Sequence, residues 1–309
     1  MDIDINSVGP IDMFSLALYC GLEGWEIHNA MADSMYPESY KKIVIGDRVV
    51  WSAKKSLRYV QKKLVKLIQE IPAGEASIAY EGSPIKESVD CMVGRGMLIS
   101  TDIVKFFDNI GYNHVYETFR GYGLNKVVSN ILSIVFTRID KKGIRTLPQG
   151  GVASPFVSNR VAAKFIDPII AASIPKGYIY LRYCDNIYIS CPDNLDFKEA
   201  SNLLRTVKYQ VESAGFKLHK TNYRKSHQRQ KCLGLILNTE AGVSRSYYDT
   251  VKAILFNVSK NSWESEAKKT GATEYSFRKS VLGKAAYVVS NTTTARRNKI
   301  LRLMKEVTK

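Results

Sequence analysis

Little in this sequence suggests covalent or metal cross-linking. Of 309 residues only five are cysteine (Cys20, Cys91, Cys184, Cys191, Cys232) and four are histidine. No Cys-x-x-Cys pair and no zinc-like Cys/His spacing occurs, so neither a disulfide framework nor a zinc site is supported, and a reducing cytoplasm fits best. Acids are in short supply: 29 Asp plus Glu face 45 Lys plus Arg, a net charge of +16. That imbalance favours a polyanionic partner, nucleic acid before anionic membrane. No apolar run approaches the roughly 18 residues that span a bilayer, and the opening MDIDINSVGP carries acids where a signal peptide carries bases. A cytoplasmic protein without a membrane anchor is therefore expected. Internal repeats, low-complexity tracts and long linkers are also missing. What is present is an ordinary globular composition, 45% hydrophobic, 24% charged and 10% aromatic. At roughly 100–200 residues per domain, this length holds one large unit or a few small ones.

Residues 1–40 carry apolar positions at mixed helical spacing (Phe14, Leu16, Ala17, Leu18, Leu22), broken by glycines and Pro37, which predicts short helices. KKIVI and RVVW flank Gly46-Asp47, so a hairpin with basic ends is expected. Over 52–70, Leu57, Val60, Gln61, Leu64, Leu67 and Ile68 share one face of a helix with Ser52 as its expected N-cap. Lys54, Lys55, Arg58, Lys62, Lys63 and Lys66 lie mostly elsewhere, on a solvated basic face or a functional one. GRGMLIS runs as a strand into Thr101-Asp102, and helices are expected over 113–120, 125–137 and from the loop at Leu147 through Ile166. Tyr178–Tyr183 and Ile187–Ser190 are β-rich and separated only by Cys184, Asp185 and Asn186, a tight hairpin with a carboxylate at its tip. An amphipathic helix over 197–214 closed by Gly215, one strand over 231–237 and a basic helical stretch over 247–309 follow.

Two acids stand out because each ends a strand: Asp102 after MLIS, and Asp185 at the hairpin tip. If those strands are neighbours, both carboxylates point at one place, and paired oxygen ligands of this kind suit Mg²⁺ or Mn²⁺. Phosphoryl transfer uses such a pair to activate a hydroxyl and to hold a triphosphate. Taken singly, an acid at a strand end is most often a turn residue.

Five stretches supply the context. Asp102-Ile-Val-Lys-Phe-Phe-Asp-Asn-Ile110 comes first, then Leu147-Pro-Gln-Gly-Gly-Val-Ala-Ser-Pro155 with Ser158-Asn159, then Tyr183-Cys-Asp-Asn186. Gly215-Phe-Lys-Leu-His-Lys-Thr221 with Leu233-Gly-Leu, and Gly283-Lys-Ala-Ala-Tyr287, complete the series. In this order and spacing, over about residues 41–300, the sequence resembles the reverse transcriptases of the bacterial retron, group II intron and diversity-generating groups. The resemblance implies an α+β, right-hand polymerase: fingers, a palm on a mixed or antiparallel sheet, and a short helical thumb. The corresponding segments are an N-terminal helical extension (1–40), fingers with the start of the palm (41–100), palm with an interleaved fingers segment (101–245) and a basic helical thumb (246–309). The thumb bases would grip a duplex, or form a solvated face. Few residues follow the thumb, so no ribonuclease H, zinc endonuclease or DNA-binding extension is expected.

The implied activity is RNA-directed DNA synthesis by two-metal nucleotidyl transfer. Asp102 and Asp185 would ligate Mg²⁺, or Mn²⁺, with the Ile103 carbonyl able to add a ligand. Phe107 would lie under the incoming sugar and exclude ribonucleotides, or pack in the core beside Phe106. Gln149 would contact the nucleotide, with Pro148 and Gly150 shaping a loop that approaches it closely. Lys41 or Lys42 and Arg48 would grip the triphosphate; for the lysines, solvated surface charge is an equal alternative. Lys220 would donate a proton to pyrophosphate, balance its charge, or be a plain surface lysine. Asn186 departs from the family's second acid; its amide keeps one oxygen and removes a charge, so weaker metal binding and a Mn²⁺ preference are expected. The rival readings are a non-catalytic RNA-holding subunit and, against Phe107, an RNA-synthesising enzyme. Implied partners are an RNA template, structured and non-coding, a DNA product, dNTPs, and a second copy or second protein subunit. Cys232-Leu-Gly234 in place of VTG, and Gln149-Gly-Gly, tilt the reading from retrons toward a defence-associated or orphan member acting in antiphage defence.

Overall fold

The computed structural model describes residues 12–76 and 84–308; the expected helical structure within 1–11 lies outside them. Helices α1 (Met13–Cys20) and α2 (Gly24–Asp33) come first, α1 opened by the Asp12 side chain accepting from the Ser15 N–H. Strands β1 (Tyr40–Ile45) and β2 (Arg48–Ala53) form the expected hairpin, with Ile45 opposite Arg48 and Tyr40 opposite Ala53. Its two-residue turn needs a left-handed backbone, which Gly46 supplies at φ +57°. Ser52 is not a helix cap. It pairs with Lys41 inside β2, and α3 (Lys55–Glu70) starts after Lys54 without a side-chain cap. The hairpin wins those residues because its last rung, Tyr40 with Ala53, is buried in the core. The apolar face of α3 is as the spacing predicts, and Gln61 within it is satisfied by Tyr40 Oη and the Val135 carbonyl, both at 2.8 Å. Each fully buried leucine of that face contributes about 1.5–3 kcal/mol.

A one-turn helix, α4 (Ile85–Val89), leads to β3 (Met97–Asp102), the one-turn α5 (Phe106–Asn109), α6 (Tyr112–Gly121) and α7 (Lys126–Phe136). A short hairpin of β4 (Arg138–Ile139) and β5 (Arg145–Thr146) precedes α8 (Ser154–Phe165) and α9 (Asp167–Ser173). Then come β6 (Ile179–Tyr183), β7 (Asn186–Cys191), α10 (Phe197–Ser213) and β8 (Asn222–Lys225). The central sheet has the order β6-β7-β3-β8 and is antiparallel throughout, which resolves the mixed or antiparallel alternative. Strand alternation divides its faces. Met97, Ile99, Ile187, Ile189 and Cys191 enter a core shared with α3, α7, α8 and α10, while Leu98 and Tyr188 enter a second core with the C-terminal helices. Asp102 and Asn186 end this second face, where the packed side chains give out.

The single strand expected over 231–237 is instead a hairpin of β9 (Lys231–Cys232) and β10 (Leu235–Ile236). Leu233 and Gly234 both have positive φ (47° and 90°), the backbone of a tight two-residue turn, so the chain reverses after two residues. After β11 (Gly242–Val243), helices α11 (Arg245–Asn261), α12 (Trp263–Lys269), α13 (Glu274–Ser290) and α14 (Thr294–Val307) close the second core. Among the described residues no helix is long and apolar enough to cross a membrane.

Candidate active site

The two acids singled out in the sequence are brought together by strand pairing. β3 and β7 run in register with Asp102 directly opposite Asn186, and the Ile103 N–H donates to the Asp185 carbonyl at 2.9 Å. The hairpin tip is two residues, Cys184 and Asp185, rather than three, because Asn186 already pairs with Tyr183 in the ladder. From there the Asn186 amide donates to Asp185 Oδ1 at 3.0 Å. The other side of Asp102 is braced by the segment after α10: the His219 N–H donates to the Asp102 carbonyl at 2.8 Å, and His219 Nδ1 lies 3.6 Å from Asp102 Oδ1.

Burial pushes the Asp185 carboxyl above the ordinary carboxylate range, and the negative charge of Asp102 adds to the rise, while Arg48 opposes it. Burial and the neighbouring carboxylate together outweigh the pull of Arg48. Among the described residues no group of three His, Cys, Asp or Glu side chains forms a closed metal cage. Two carboxylates with carbonyls nearby do fit a hard divalent ion that completes its coordination with substrate phosphates. Cys184 beside them is inert: burial pushes its thiol up to about 12, so it stays protonated at neutral pH.

Lys220 is exposed and lines a cleft of about 200 Å³ with Asp102, Asn186, Tyr188 and Lys231. Arg48 is exposed on the hairpin, near enough for its charge to act on Asp185. Lys42, also exposed, pairs with Trp51 in the hairpin and makes no described contact with either acid; Lys41 pairs with Ser52. The hairpin is seated on the loop before α8. The Trp51 N–H donates to the Gln149 carbonyl at 2.7 Å, and Arg138 lies over the Trp51 ring at 3.9 Å. Gly150 has φ +87°, and a Cβ there would stand 3.0 Å from Val50 Cβ, so only glycine allows this approach. Phe107 on α5 is half-buried, 5.6 Å from the buried Phe106 ring.

Arg182 and Asp167, which hold the tip in place, were not found by sequence reasoning. Arg182 is fully buried on β6 and grips Asp167 with two bonds, Nε to Oδ1 at 2.8 Å and Nη2 to Oδ2 at 3.0 Å. Its Nη1 donates to Asn159 Oδ1 at 2.9 Å and to the Cys184 carbonyl at 3.2 Å, and Tyr180 Oη donates to Asp167 Oδ1 at 2.7 Å. The guanidinium thus ties α8 and α9 to the residue before Asp185. Cys184 sits at φ +55°, a strained setting for a side-chain-bearing residue that this bond helps to hold. A signal was there: Arg182 falls on the core-facing side with Tyr180, and a charge on a core face demands a partner.

Residues 45–237 match the family model described as reverse transcriptase (RNA-dependent DNA polymerase). The retron Mx162 reverse transcriptase of Myxococcus xanthus is 26% identical over 234 residues, 67% of this chain and 48% of that protein. The retron Ec86 reverse transcriptase of Escherichia coli is 22% identical over 216 residues, 68% of this chain and 65% of that protein. The chain therefore spans about half to two thirds of the length of these curated relatives. Among solved structures, telomerase from Candida albicans in complex with a fragment of telomeric RNA covers 87% of this chain and 61% of its own at 11% identity, with a TM-score of 0.47, too low to carry any weight. The tilt away from retrons drawn from Cys232-Leu-Gly234 finds no support in these relatives.

Proposed function

The chain belongs to the reverse transcriptase (RNA-dependent DNA polymerase) family, whose model matches more than half of its length, and from that premise we propose that it is an active RNA-directed DNA polymerase using two-metal nucleotidyl transfer. The observation that carries this is the in-register pairing of β3 and β7, which sets Asp102 beside the Asp185 turn on the open face of the sheet. Asp102 and Asp185 would hold Mg²⁺ or Mn²⁺, which when bound activates a primer hydroxyl and neutralises triphosphate charge.

The remaining roles fall to the chain's own side chains. Arg48, on the hairpin, supplies a cation to the triphosphate, with Lys42 further along the same strand pair. Gln149 and Gly150 form the floor against which the nascent pair is positioned. Phe107 limits the space at the sugar to deoxynucleotides. Lys220, which lines the same cleft as Asp102, donates a proton to or balances the charge of the leaving pyrophosphate. In this reading residues 41–100 serve as fingers with the start of the palm, 101–245 as palm with an interleaved fingers segment, and 246–309 as a thumb that holds the duplex. The template is a dedicated structured non-coding RNA and the product its DNA copy. The setting is a retron-like element or antiphage defence, the former supported by the likeness to retron reverse transcriptases. Asn186 favours one alternative, a polymerase-shaped RNA-holding subunit without activity.

The test is incorporation of labelled dNTP by the purified protein with its co-purified RNA, in Mg²⁺ or Mn²⁺. Incorporation abolished by RNase pretreatment and by Asp185→Ala is the expected result. RNA retention without incorporation in either metal supports the subunit alternative. Incorporation of ribonucleotides gained by Phe107→Ala checks the role given to that ring.

A further inference from the structure

Residues 40–69 contain nine lysines and arginines and a single acid, Asp47, and so carry half of the chain's net charge of +16. On α3, Lys55, Arg58, Lys62 and Lys66 are all exposed and, at about 100° per residue, fall within one side of the helix. They are spaced one per turn, about 5.4 Å apart along the axis, over a span of roughly 16 Å. Exposed Tyr59 lies among them, with Lys63 Nζ 5.6 Å from its ring centroid. Among the described residues none of the four cations has a carboxylate partner. Two acids on or against the helix are engaged with hydroxyls instead: Asp33 accepts from Ser56 Oγ, and Glu70, the last residue of α3, accepts from Tyr19 Oη.

We propose that this face of α3 is a second nucleic-acid surface, which holds the sugar–phosphate backbone of folded RNA on the fingers side of the active site, independently of base sequence. A row of cations at regular spacing matches a polymer of repeated anions rather than one small anion. Three of the four are lysines, point charges suited to phosphates rather than to base edges. Tyr59 offers a platform for an unpaired base. A membrane surface fits less well, because the apolar face of α3 (Leu57, Val60, Leu64, Leu67, Ile68) is consumed by the core and has nothing left to insert. The central sheet separates the core of α3 from the core of the C-terminal helices. If those helices hold the product duplex, the strand reaching α3 is RNA not yet copied; the naming of RNA rests on the polymerase reading.

The test measures binding of a fluorescein-labelled RNA hairpin with a single-stranded 3′ arm, by anisotropy, without nucleotide or metal, from about 50 to 200 mM salt. Binding is thereby read independently of catalysis. The variant is Lys55→Gln/Arg58→Gln/Lys62→Gln/Lys66→Gln, in which glutamine keeps helix propensity at exposed positions; an unchanged melting curve verifies the fold. Expected are a loss of at least about tenfold in affinity near 150 mM salt and a log–log salt slope shallower by about 3. Lys55→Arg/Lys62→Arg/Lys66→Arg should keep the wild-type slope, and dNTP incorporation on a short annealed primer–template should not change in the glutamine variant. An unchanged slope for the glutamine variant overturns the proposal. So does a loss confined to duplex DNA, or to phosphatidylserine–phosphatidylcholine vesicles, with RNA binding intact.

Discussion

At the scale of single residues, the candidate site stores unfavourable charge. Asp185 is held where burial and Asp102 both disfavour its ionised form, so removing that charge should stabilise the protein when no metal is present. The neutral carboxyl is the form favoured in the folded state. The penalty is therefore absent in acid, grows as pH rises from the ordinary carboxylate value of 3.8 through the raised one, and is complete at neutrality. Asp185→Asn should melt about 1–3 °C above wild type in EDTA at neutral pH, with no difference near pH 3.5. Asn186→Asp should do the opposite, since an acid there replaces the amide that donates to Asp185. It should melt lower in EDTA and reach half-maximal activity at lower Mg²⁺, which a metal titration of initial rates would check; unchanged metal dependence contradicts the role given to Asn186. Asp102 and Asp185 were legible because strand-ending acids in a recognisable order of motifs are visible in one dimension. The Asn186–Asp185 bond was not, since it depends on where the turn begins, and one residue of register separates a tip position from a ladder position.

At the scale of elements, two joints decide whether the site assembles. The first is the Arg182 fork between β6, α8 and α9. Arg182→Lys keeps the charge, but a single ammonium cannot serve Asp167, Asn159 and Cys184 together. It should lower kcat about 10–100-fold through misplacement of the Asp185 turn, with little change in KM for dNTP; a KM change alone would show that the fork supports binding instead. Asp167→Ala leaves a buried guanidinium unpaired, a loss of about 3–5 kcal/mol visible in denaturant melts. The second joint is Gly150 against Val50. Gly150→Ala combines a left-handed backbone with a crowded Cβ and should cost about 1–3 kcal/mol. It should also raise KM for dNTP more than it lowers kcat, because the hairpin carrying Arg48 is displaced. Sequence periodicity disclosed most of these elements, the hairpin at Gly46-Asp47 and the face of α3 among them. It failed where tertiary burial extended β2 through Ser52, and where Leu233-Gly234 turned an apparent strand back on itself.

At the scale of the molecule, one antiparallel sheet separates two cores and sets Asp102 and Asn186, beside the Asp185 turn, at the end of the face it shares with the C-terminal helices. The α+β class, the order of motifs and the basic C-terminal helices could all be read from the chain. Which face of the sheet carries Asp102 could not, because alternation assigns two faces without saying which one meets which core. The central claim is that this face carries out templated DNA synthesis, and the most direct test is single-nucleotide extension of one annealed primer on four RNA templates that differ only at the first copied base. The account predicts extension of each template by its complementary dNTP alone, in Mg²⁺ or Mn²⁺, and none with Asp185→Ala. Extension indifferent to the template base, or equal extension by the Asp185→Ala protein, would contradict it.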